Sequence, residues 1–475
     1  MKEKFYITAA IPYVNAKPHV GHALEFVQTD TIARYKRLQG SEVLSLSGAD
    51  ENALKNVQAA EREGVPVQDF VDTNSELFRK LAIALNAEFG VWQRGSNVEN
   101  HHAASQKLWE LCNKAGDIYK KKYSGLYCVG CEVFYTKDEL NENGECFEHP
   151  GKPLETVGEE NYFFRLSKYG EQILKLIETE ELKIIPAKRK NEVVEFVKTG
   201  LTDISISRSN ERAKNWGVKV PHDPDQRMYV WFDALNIYQS GVGFGYDEEN
   251  YKKWWPADLH VIGKGILRFH AVYWPAFLIS ASLPLPKAIF VHDYFTVDGA
   301  KMSKTLGNVI DPVELIKKYG VDPLRYYFLA KFSPFNDGDF SEEKFRETYN
   351  ADLANGLGNL VSRVAKMVEI SEIAVDKLEG LNLSPLVQKS LGEYRFDNAL
   401  ATIWHKISDL DKRIDGNKLW KNTKEKQNVI IEIIQGIRQV AYDLQPFLPE
   451  TSEKILKQFM GPKVKSGEGL FPRLK

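Results

Sequence analysis

The sequence contains few cysteines, carries almost no net charge and has no long uninterrupted apolar run. Four cysteines occur among 475 residues, and the formal net charge is -2. So small a charge neither suggests nor excludes a nucleic-acid partner, although lysines are concentrated in residues 183–190 and 418–426. Few cysteines in a chain without a targeting signal are typical of a reducing compartment, so we expect a cytoplasmic protein.

A membrane span is not indicated either. The most apolar stretch, residues 269–291, is interrupted by His270, Pro275, Pro284 and Pro286. Residues 1–10 lack the apolar core and the cleavage site of a signal peptide. We therefore expect no membrane association.

The order of strand and helix patterns predicts the fold. Strands are expected at residues 4–9, 42–47, 229–232, 260–262 and 288–291. Helices are expected at 19–38, at 50–63, from Pro66 onward, and alone after Phe345. This order predicts an α/β protein with a doubly wound, Rossmann-type parallel sheet, an insertion that splits it, and an all-α C-terminal domain. The expected boundaries are 1–116, 117–225, 226–344 and 345–475.

Three of the four cysteines fall in a spacing that favours a metal site. Cys128 and Cys131 form one C-x-x-C pair, and Cys146 and His149 form a C-x-x-H pair shortly after it. Four such ligands close a tetrahedral zinc site and leave no position for a catalytic water, so we expect one structural Zn²⁺. Cys112 lies on an apolar helical face and is interpreted as core.

Two polar segments indicate phosphate chemistry. His19, Gly21 and His22 open the helix that follows the first strand, where backbone amides and the helix dipole favour anions. Lys301 and Lys304 lie in a glycine-flanked loop that is suited to a departing pyrophosphate. Alone, the histidines could equally cap and pack a helix, and the lysines could form a solvated turn. Both segments in one chain favour a nucleotide site.

The two segments resemble the HIGH and KMSKS signatures of class I aminoacyl-tRNA synthetases, with Val20 in place of isoleucine and Thr305 in place of serine. The resemblance implies ATP, with Mg²⁺, as a substrate, and both histidines and both lysines as catalytic residues. It implies this set of ATP-binding residues: His19, Gly21, His22, Gly263, Lys264, Lys301 and Lys304.

From about Phe5 to Phe459 the chain is most similar to methionyl-tRNA synthetases. That similarity implies a pocket for L-methionine, with Asp50 holding the ammonium group. The implied pocket residues are Ala10, Ile11, Tyr13, Asp50, Trp231, Ala234, Leu235, Tyr238, Ile266 and His270. A flexible thioether suits an aromatic-lined pocket, although each aromatic taken singly would more often be plain core. The knuckle of three cysteines and one histidine also resembles that of some members.

The helical C-terminal region resembles the anticodon-binding domain of the same enzymes. Asn359 and Arg363 are spaced to share a helical face, and Trp420 offers a stacking surface. The resemblance implies that these residues read the CAU anticodon of tRNA(Met). We therefore expect the protein to convert methionine and ATP into methionyl-adenylate and pyrophosphate, and then to esterify methionine onto tRNA(Met) for translation elongation and initiation.

Two departures from the family pattern and two alternatives stand beside this interpretation. Gly265 occupies a position that is usually Asp, and Asn52-Ala53 replaces His-Gly after Glu51, so altered substrate affinity is expected. A synthetase for isoleucine or valine is disfavoured by the short insertion, and one for cysteine by the lack of a pocket cysteine. An inactive relative that only binds tRNA is the other alternative.

With no further domain after the helices, we expect a monomer.

Overall fold

The structure is a computed structural model that describes residues 2–128, 133–135, 140–147, 151–300, 308–421 and 423–475. By internal contacts the chain forms two compact units. Unit 1 comprises residues 1–18, 41–82 and 88–291, and unit 2 comprises residues 19–40, 83–87 and 292–475.

The described strands alternate with helices in the first part of the chain and stop at Phe340. They are β1 Lys4–Ala9, β2 Glu42–Ala49, β3 Val91–Arg94, β4 Ile118–Cys128, β5 Val133–Tyr135, β6 Glu155–Phe164, β7 Lys183–Ile185, β8 Ile204–Ser205, β9 Ser207–Ser209, β10 Lys219–Val220, β11 Asp223–Met228, β12 Leu259–Gly263, β13 Ala288–His292, β14 Phe295–Val297 and β15 Gly338–Phe340.

The described helices are α1 Val20–Leu38, α2 Leu54–Glu63, α3 Val67–Ala84, α4 Ala103–Lys114, α5 Gly170–Glu178, α6 Ala187–Lys198, α7 Val230–Ala234, α8 Ile237–Ser240, α9 Glu248–Trp254, α10 Trp274–Ser280, α11 Pro312–Tyr319, α12 Val321–Lys331, α13 Glu342–Thr348, α14 Asn359–Ser371, α15 Pro385–Gly392, α16 Phe396–Asn417, α17 Gln427–Leu444 and α18 Pro449–Gln458. Val98–His102, Phe269–Tyr273 and Tyr349–Gly358 are π-helical. In the described residues, no helix has the length and apolar character to cross a membrane.

The central sheet of unit 1 has the strand order β3-β2-β1-β12-β13-β7. The pairs β1–β2, β2–β3, β1–β12 and β13–β7 are parallel. Every residue of β12 is buried, as expected for a strand in a parallel sheet covered on both faces. The chain proceeds from β1 outward to β3 and later returns to β12 on the other side of β1. This reversal creates a topological switch point, where ligands of such sheets bind beyond the strand ends.

The stretch between β3 and β12 adds two smaller antiparallel sheets to unit 1. One has the order β5-β4-β6-β8, built on the long antiparallel pair β4–β6, and the other has the order β10-β11-β9. From the same stretch, β7 pairs in parallel with β13 at the edge of the central sheet. The insertion therefore contributes one strand to the sheet that it interrupts.

The C-terminal part of unit 2 is helical because its sequence repeats apolar residues at helical spacing. On α16 the buried face is made by Phe396, Ala399, Leu400, Ile403, Ile407, Leu410 and Ile414. A Cβ on Gly436 of α17 would lie 2.6 Å from Leu410 Cδ2, so this glycine permits close packing of the two helices.

The fold predicted from the sequence is confirmed: a Rossmann-type parallel sheet, with helices alone after Phe340 among the described elements. The expected strand at 229–232 is wrong, because β11 ends at Met228 and Val230–Ala234 forms α7. The run is apolar because this helix is buried throughout, and a short buried helix and a buried strand look alike in sequence. The second helix begins at Leu54, after an extended turn that contains Asp50.

Candidate active site

The predicted methionine and ATP residues of unit 1 follow the carboxyl ends of adjacent strands. Ala10 and Ile11 come directly after β1, and the Ala10 N–H donates to the Val261 carbonyl of β12 over 3.0 Å. Asp50 comes directly after β2, and Gly263 is the last residue of β12. The parallel register brings these strand ends to one edge of the sheet, at the switch point. A binding site is expected there on topological grounds alone.

Aromatic rings form a continuous wall beside these strand ends. The Trp231 ring stacks on Phe269, with centroids 3.7 Å apart and planes at 3°. Tyr13 meets Trp231 edge-on at 6.2 Å, and His270 lies 6.4 Å from Trp231. The remaining apolar pocket residues that the sequence predicted belong to the large hydrophobic cluster of unit 1 that also contains the rings of Trp231, Phe269 and Tyr13: Ala10, Ile11, Ala234, Leu235, Tyr238 and Ile266. We call these residues, together with the rings, the aromatic slot.

A hydrogen-bond relay fixes the orientation of His270 in the slot. Its Nδ1 donates to the Ile266 carbonyl over 2.9 Å, so Nε2 accepts the Tyr238 hydroxyl proton over 2.8 Å. Burial lowers the pKa of His270 to about 4, and the imidazole is therefore neutral at physiological pH. The Tyr238 carbonyl in turn accepts the hydroxyl proton of Tyr6 over 2.7 Å. The slot thus has a neutral, fully hydrogen-bonded polar end.

Asp50 gives the slot one buried acidic residue. Asp50 is 3% exposed, and its N–H donates to the Pro12 carbonyl over 2.9 Å, which pairs this turn with the segment that carries Tyr13. The Lys55 ammonium lies over the Tyr13 ring, 3.0 Å from its centroid. A carboxylate beside an apolar, aromatic slot has the chemistry to bind an amino acid by its ammonium group.

The histidine pair lies at the start of α1 in unit 2. His19 caps the helix, with its Nδ1 accepting the Gly21 N–H over 3.1 Å, and His22 Nδ1 accepts the His19 N–H over 3.2 Å. Burial lowers the pKa of His19 to about 4 and that of His22 well below its usual value. Because both Nδ1 atoms accept, each neutral ring has its proton on Nε2, where it can donate to a phosphate oxygen. The capping role is therefore present and compatible with phosphate binding.

The lysine loop is outside the described residues, and Lys301 and Lys304 with it. Its flanks are described. Asp339 accepts the Gly299 N–H over 2.7 Å just before the loop, and the Val20 N–H of α1 donates to the Ile310 carbonyl just after it, over 3.3 Å. Within unit 2, the segment that follows the lysine loop therefore contacts the start of the histidine helix.

Two of the four predicted zinc ligands are described, and both are buried cysteines. Cys128 ends β4 and is paired in register with Val133 of β5, while Cys146 lies within hydrogen-bond distance of the Tyr135 hydroxyl, at 3.5 Å. Cys131 and His149 lie outside the described residues. No group of three metal-ligating side chains is found within the described ranges. The thiols at a hairpin end have the donor chemistry of a zinc knuckle, and Cys112 is buried as core, as predicted.

The predicted anticodon residues lie close together on the helical part of unit 2. Asn359 is exposed at the start of α14, and Arg363 follows one turn later. The Arg363 guanidinium lies 5.8 Å from the centre of the Trp420 ring, which is 51% exposed, and pairs with Asp415 over 2.8 Å. An exposed tryptophan beside an arginine and an asparagine is a suitable surface for unstacked bases.

Several known proteins are similar to this chain over nearly its whole length. A family model described as tRNA synthetases class I (M) matches residues 5–365. Methionine–tRNA ligases of Rhizobium meliloti and Mycobacterium bovis are 43% and 40% identical to the chain, over 95% of it and 91% of their own length. The solved Mycobacterium tuberculosis methionyl-tRNA synthetase in complex with methionyl-adenylate has a TM-score of 0.91 at 38% identity, covering 99% of this chain and 100% of that one. The chain belongs to the methionyl-tRNA synthetase family.

Within this family the two departures noted in the sequence have defined surroundings. Gly265 is exposed in the 3-10 turn Lys264–Ile266 that follows β12, and it has no side chain at the position where the resemblance leads us to expect a carboxylate. Asn52 lies in the turn after Asp50 and donates to the Asp233 carboxylate. Both departures thus fall on turns that leave the switch-point strands.

The sequence alone missed two contributors to the slot. Phe269 covers one face of Trp231, and its position next to His270 in an apolar run gave no sign of an unusual backbone. The π-helix Phe269–Tyr273 carries the rings of both Phe269 and His270. Such π-helical turns are common at functional sites but leave no sequence pattern. Asp233 was the other residue missed. It lies inside the matched Trp-Phe-Asp-Ala segment, and only its burial distinguishes it.

Proposed function

We propose that this protein is a methionine–tRNA ligase that activates L-methionine with ATP and transfers it to tRNA(Met). The observation that carries the proposal is the aromatic slot at the switch point of the sheet, with Asp50 at its acidic side. Membership in the methionyl-tRNA synthetase family and the adenylate complex of the Mycobacterium tuberculosis relative support it.

Recognition of methionine follows from the chemistry of the slot. A thioether is unbranched and polarisable, and it gains from contacts with ring edges such as those of Trp231, Tyr13 and His270. Because His270 is held neutral and its ring nitrogens are hydrogen-bonded to Tyr238 and Ile266, this end of the slot presents no charge to the side chain. Asp50 would hold the ammonium group and thereby orient the carboxylate.

Activation requires no general base, because the methionine carboxylate is already an anion. It attacks the α-phosphorus of ATP, the Pα–O bond to pyrophosphate breaks, and negative charge grows on the leaving group. His19 and His22 are proposed to donate from Nε2 to phosphate oxygens, and Lys301 and Lys304 to neutralise the pyrophosphate. Gly263 and Lys264 remain predicted ATP contacts, and ATP enters as its Mg²⁺ complex.

Transfer completes the reaction. The 2′-hydroxyl of the terminal adenosine of tRNA attacks the methionyl carbonyl of the mixed anhydride and releases AMP. Asn359, Arg363 and Trp420 are proposed to read the CAU anticodon by paired hydrogen bonds and stacking, an arrangement that their proximity supports.

A structural zinc, a monomeric state and a cytoplasmic location complete the proposal. Cys128, Cys131, Cys146 and His149 would hold the ion, which would cross-link the turn after β4 to the segment around Cys146 and supply no chemistry to the reaction. We propose the cytoplasm as the location because charged tRNA is used there by ribosomes.

Charging of defined transcripts tests this function. The purified chain is incubated with labelled methionine, ATP and Mg²⁺, with tRNA(Met) or with the same transcript whose CAU anticodon is changed. We expect acid-stable methionyl ester on the CAU transcript and a loss of two or more orders of magnitude on the altered one. Adenylate formation without any esterification would contradict transfer, and binding of tRNA without adenylate formation would identify an inactive tRNA-binding relative.

A further inference from the structure

Asn52 joins two parts of the aromatic slot, and the function proposed above assigns it no role. Its side-chain amide donates to the Asp233 carboxylate over 2.5 Å and to the Gly95 carbonyl over 2.8 Å. Asn52 lies in the turn that carries Asp50, whereas Asp233 lies on α7, which also carries Trp231. The bond therefore connects the turn that would hold the ammonium group to the helix that forms an aromatic wall of the slot.

Among the described side chains, Asn52 is the hydrogen-bond partner of the Asp233 carboxylate. Asp233 is 1% exposed, and its Oδ1 has no hydrogen-bond partner among the described residues. His101 Nε2 lies 3.6 Å from Oδ2, beyond hydrogen-bond distance. Within the described part of the chain, Asn52 thus supplies the single side-chain hydrogen bond to a buried carboxylate. Such a group is costly to bury and moves toward any donor or water when its partner is lost.

The other end of the connection is rigid. Glu51 is fully buried, and its carboxylate accepts Arg94 Nε over 2.8 Å and the Ser96 N–H over 2.9 Å. The Asp50 N–H is held by the Pro12 carbonyl. Because the turn is held at Asp50 and at Glu51, we expect it to stay in place if α7 is displaced. A shift of the helix would instead change the separation between Asp50 and Trp231.

We propose that Asn52 is a positioning residue for methionine: its hydrogen bond to Asp233 sets the distance between the ammonium ligand and the aromatic wall of the slot. The inference rests on the proposed function and names a determinant that lies outside the slot lining. It assigns the effect to methionine affinity, since the bonded groups border the amino-acid slot and neither is among the predicted ATP contacts.

A set of substitutions in the full-length chain tests the proposal through methionine-dependent pyrophosphate exchange. Asn52→Ala removes the donor, Asn52→Asp places two carboxylates together, and Asn52→Asp with Asp233→Asn restores the bond with donor and acceptor exchanged. Asn210→Ala is the matched control, because Asn210 also donates its amide to a backbone carbonyl of unit 1, that of Pro224, over 2.8 Å. Thermal unfolding of each variant is measured alongside.

We expect Asn52→Ala to raise the KM for methionine about tenfold and Asn52→Asp about a hundredfold, the range for a lost or repelled charge-assisted bond. The kcat and the KM for ATP should change little, and the control should equal the wild type. The exchanged pair should recover part of the methionine KM, because it regains the bond to position 233 but not the bond to the Gly95 carbonyl. An unchanged methionine KM in Asn52→Ala overturns the proposal, as does an exchanged pair no better than Asn52→Asp. A wild-type chain that ignores methionine would instead refute the proposed function.

Discussion

Several histidines of this protein are buried where protonation is unfavourable. Burial lowers the pKa of His19, His102 and His270 to about 4 in the folded chain, against 6.5 for an unburied imidazole. Below pH 6.5 these histidines therefore bind protons in the unfolded chain while they remain neutral in the folded chain. Stability must fall as the pH drops from 6.5 toward 4, and it is fully present above 6.5.

At the residue scale, His270→Gln should flatten this acid dependence. We expect the loss of unfolding free energy between pH 7 and pH 4.5 to be about 2 kcal/mol smaller in the variant than in the wild type. Urea unfolding at the two pH values measures the difference, with His405→Gln, an exposed histidine on α16, as the control for loss of an imidazole. An identical acid dependence in His270→Gln and the wild type would show that this side chain is not held neutral by burial.

A substitution of Trp420 should distinguish amino-acid activation from tRNA charging. Trp420→Ala removes the exposed ring beside Arg363 and should abolish tRNA charging while leaving amino-acid activation nearly intact. Leu386→Ala, which trims another exposed apolar side chain of unit 2, should change neither. Equal loss of charging and of pyrophosphate exchange in Trp420→Ala would argue against an anticodon role.

At the scale of elements, a buried ion pair ties α1 to α12 within unit 2. The Arg325 guanidinium is fully buried, donates to the Pro446 and Phe447 carbonyls, and lies 2.8 Å from Asp30 of α1. Asp30 also accepts from Arg34 over 2.7 Å. The sequence could not reveal this contact, because its partners are far apart along the chain and charged residues usually lie on the surface.

Removing one member of that pair should be costly. Asp30→Ala leaves a buried guanidinium without its counter-ion and should lower the free energy of unfolding by about 3–5 kcal/mol. Glu432→Ala, which breaks an exposed ion pair with Arg413, should lower it by less than about 1 kcal/mol. Denaturant unfolding compares the two, and equal small losses would show that the buried pair contributes little.

The zinc knuckle, formed by Cys128, Cys131, Cys146 and His149, remains a prediction. We expect the purified chain to contain about one zinc ion, counted by plasma mass spectrometry, and Cys146→Ser to lose it. Cys112→Ser serves as the matched control, since Cys112 is a buried cysteine of the core whose Sγ lies 3.5 Å from the Phe277 carbonyl. Zinc-free wild-type protein, or zinc retained in Cys146→Ser, would contradict the assignment.

At the scale of the whole molecule, the architecture could be predicted from the sequence more completely than the individual contacts could. Alternating strand and helix patterns were enough for the parallel sheet and the helical C-terminal region, because both depend on local periodicity. The short apolar run at 229–232 was assigned to the wrong element, and the pairing of β7 with β13 was not foreseen. Strand partners and buried bonds such as Asn52–Asp233 depend on residues distant in sequence, so no local pattern reports them.

The site residues divide in the same way. Ala10, Asp50 and Gly263 could be named from the sequence only through the family resemblance, although strand ends at a switch point are expected to meet at one edge of the sheet. Phe269 and Asp233 could not, because their roles depend on a π-helical turn and on burial. The aromatic slot was predicted only through the likeness to a family, since tryptophan and tyrosine in apolar segments are ordinarily core, and its role in binding methionine stays a prediction.

We expect the aromatic slot to select methionine for activation by ATP. Pyrophosphate exchange with each standard amino acid in turn measures this most directly, with purified chain, ATP, Mg²⁺ and labelled pyrophosphate. Methionine should drive exchange at least about a hundredfold better, in kcat/KM, than leucine, isoleucine or valine, because only the thioether matches the slot in shape and ring contacts. Exchange driven by isoleucine or valine rather than methionine, or by no amino acid at all, would contradict it.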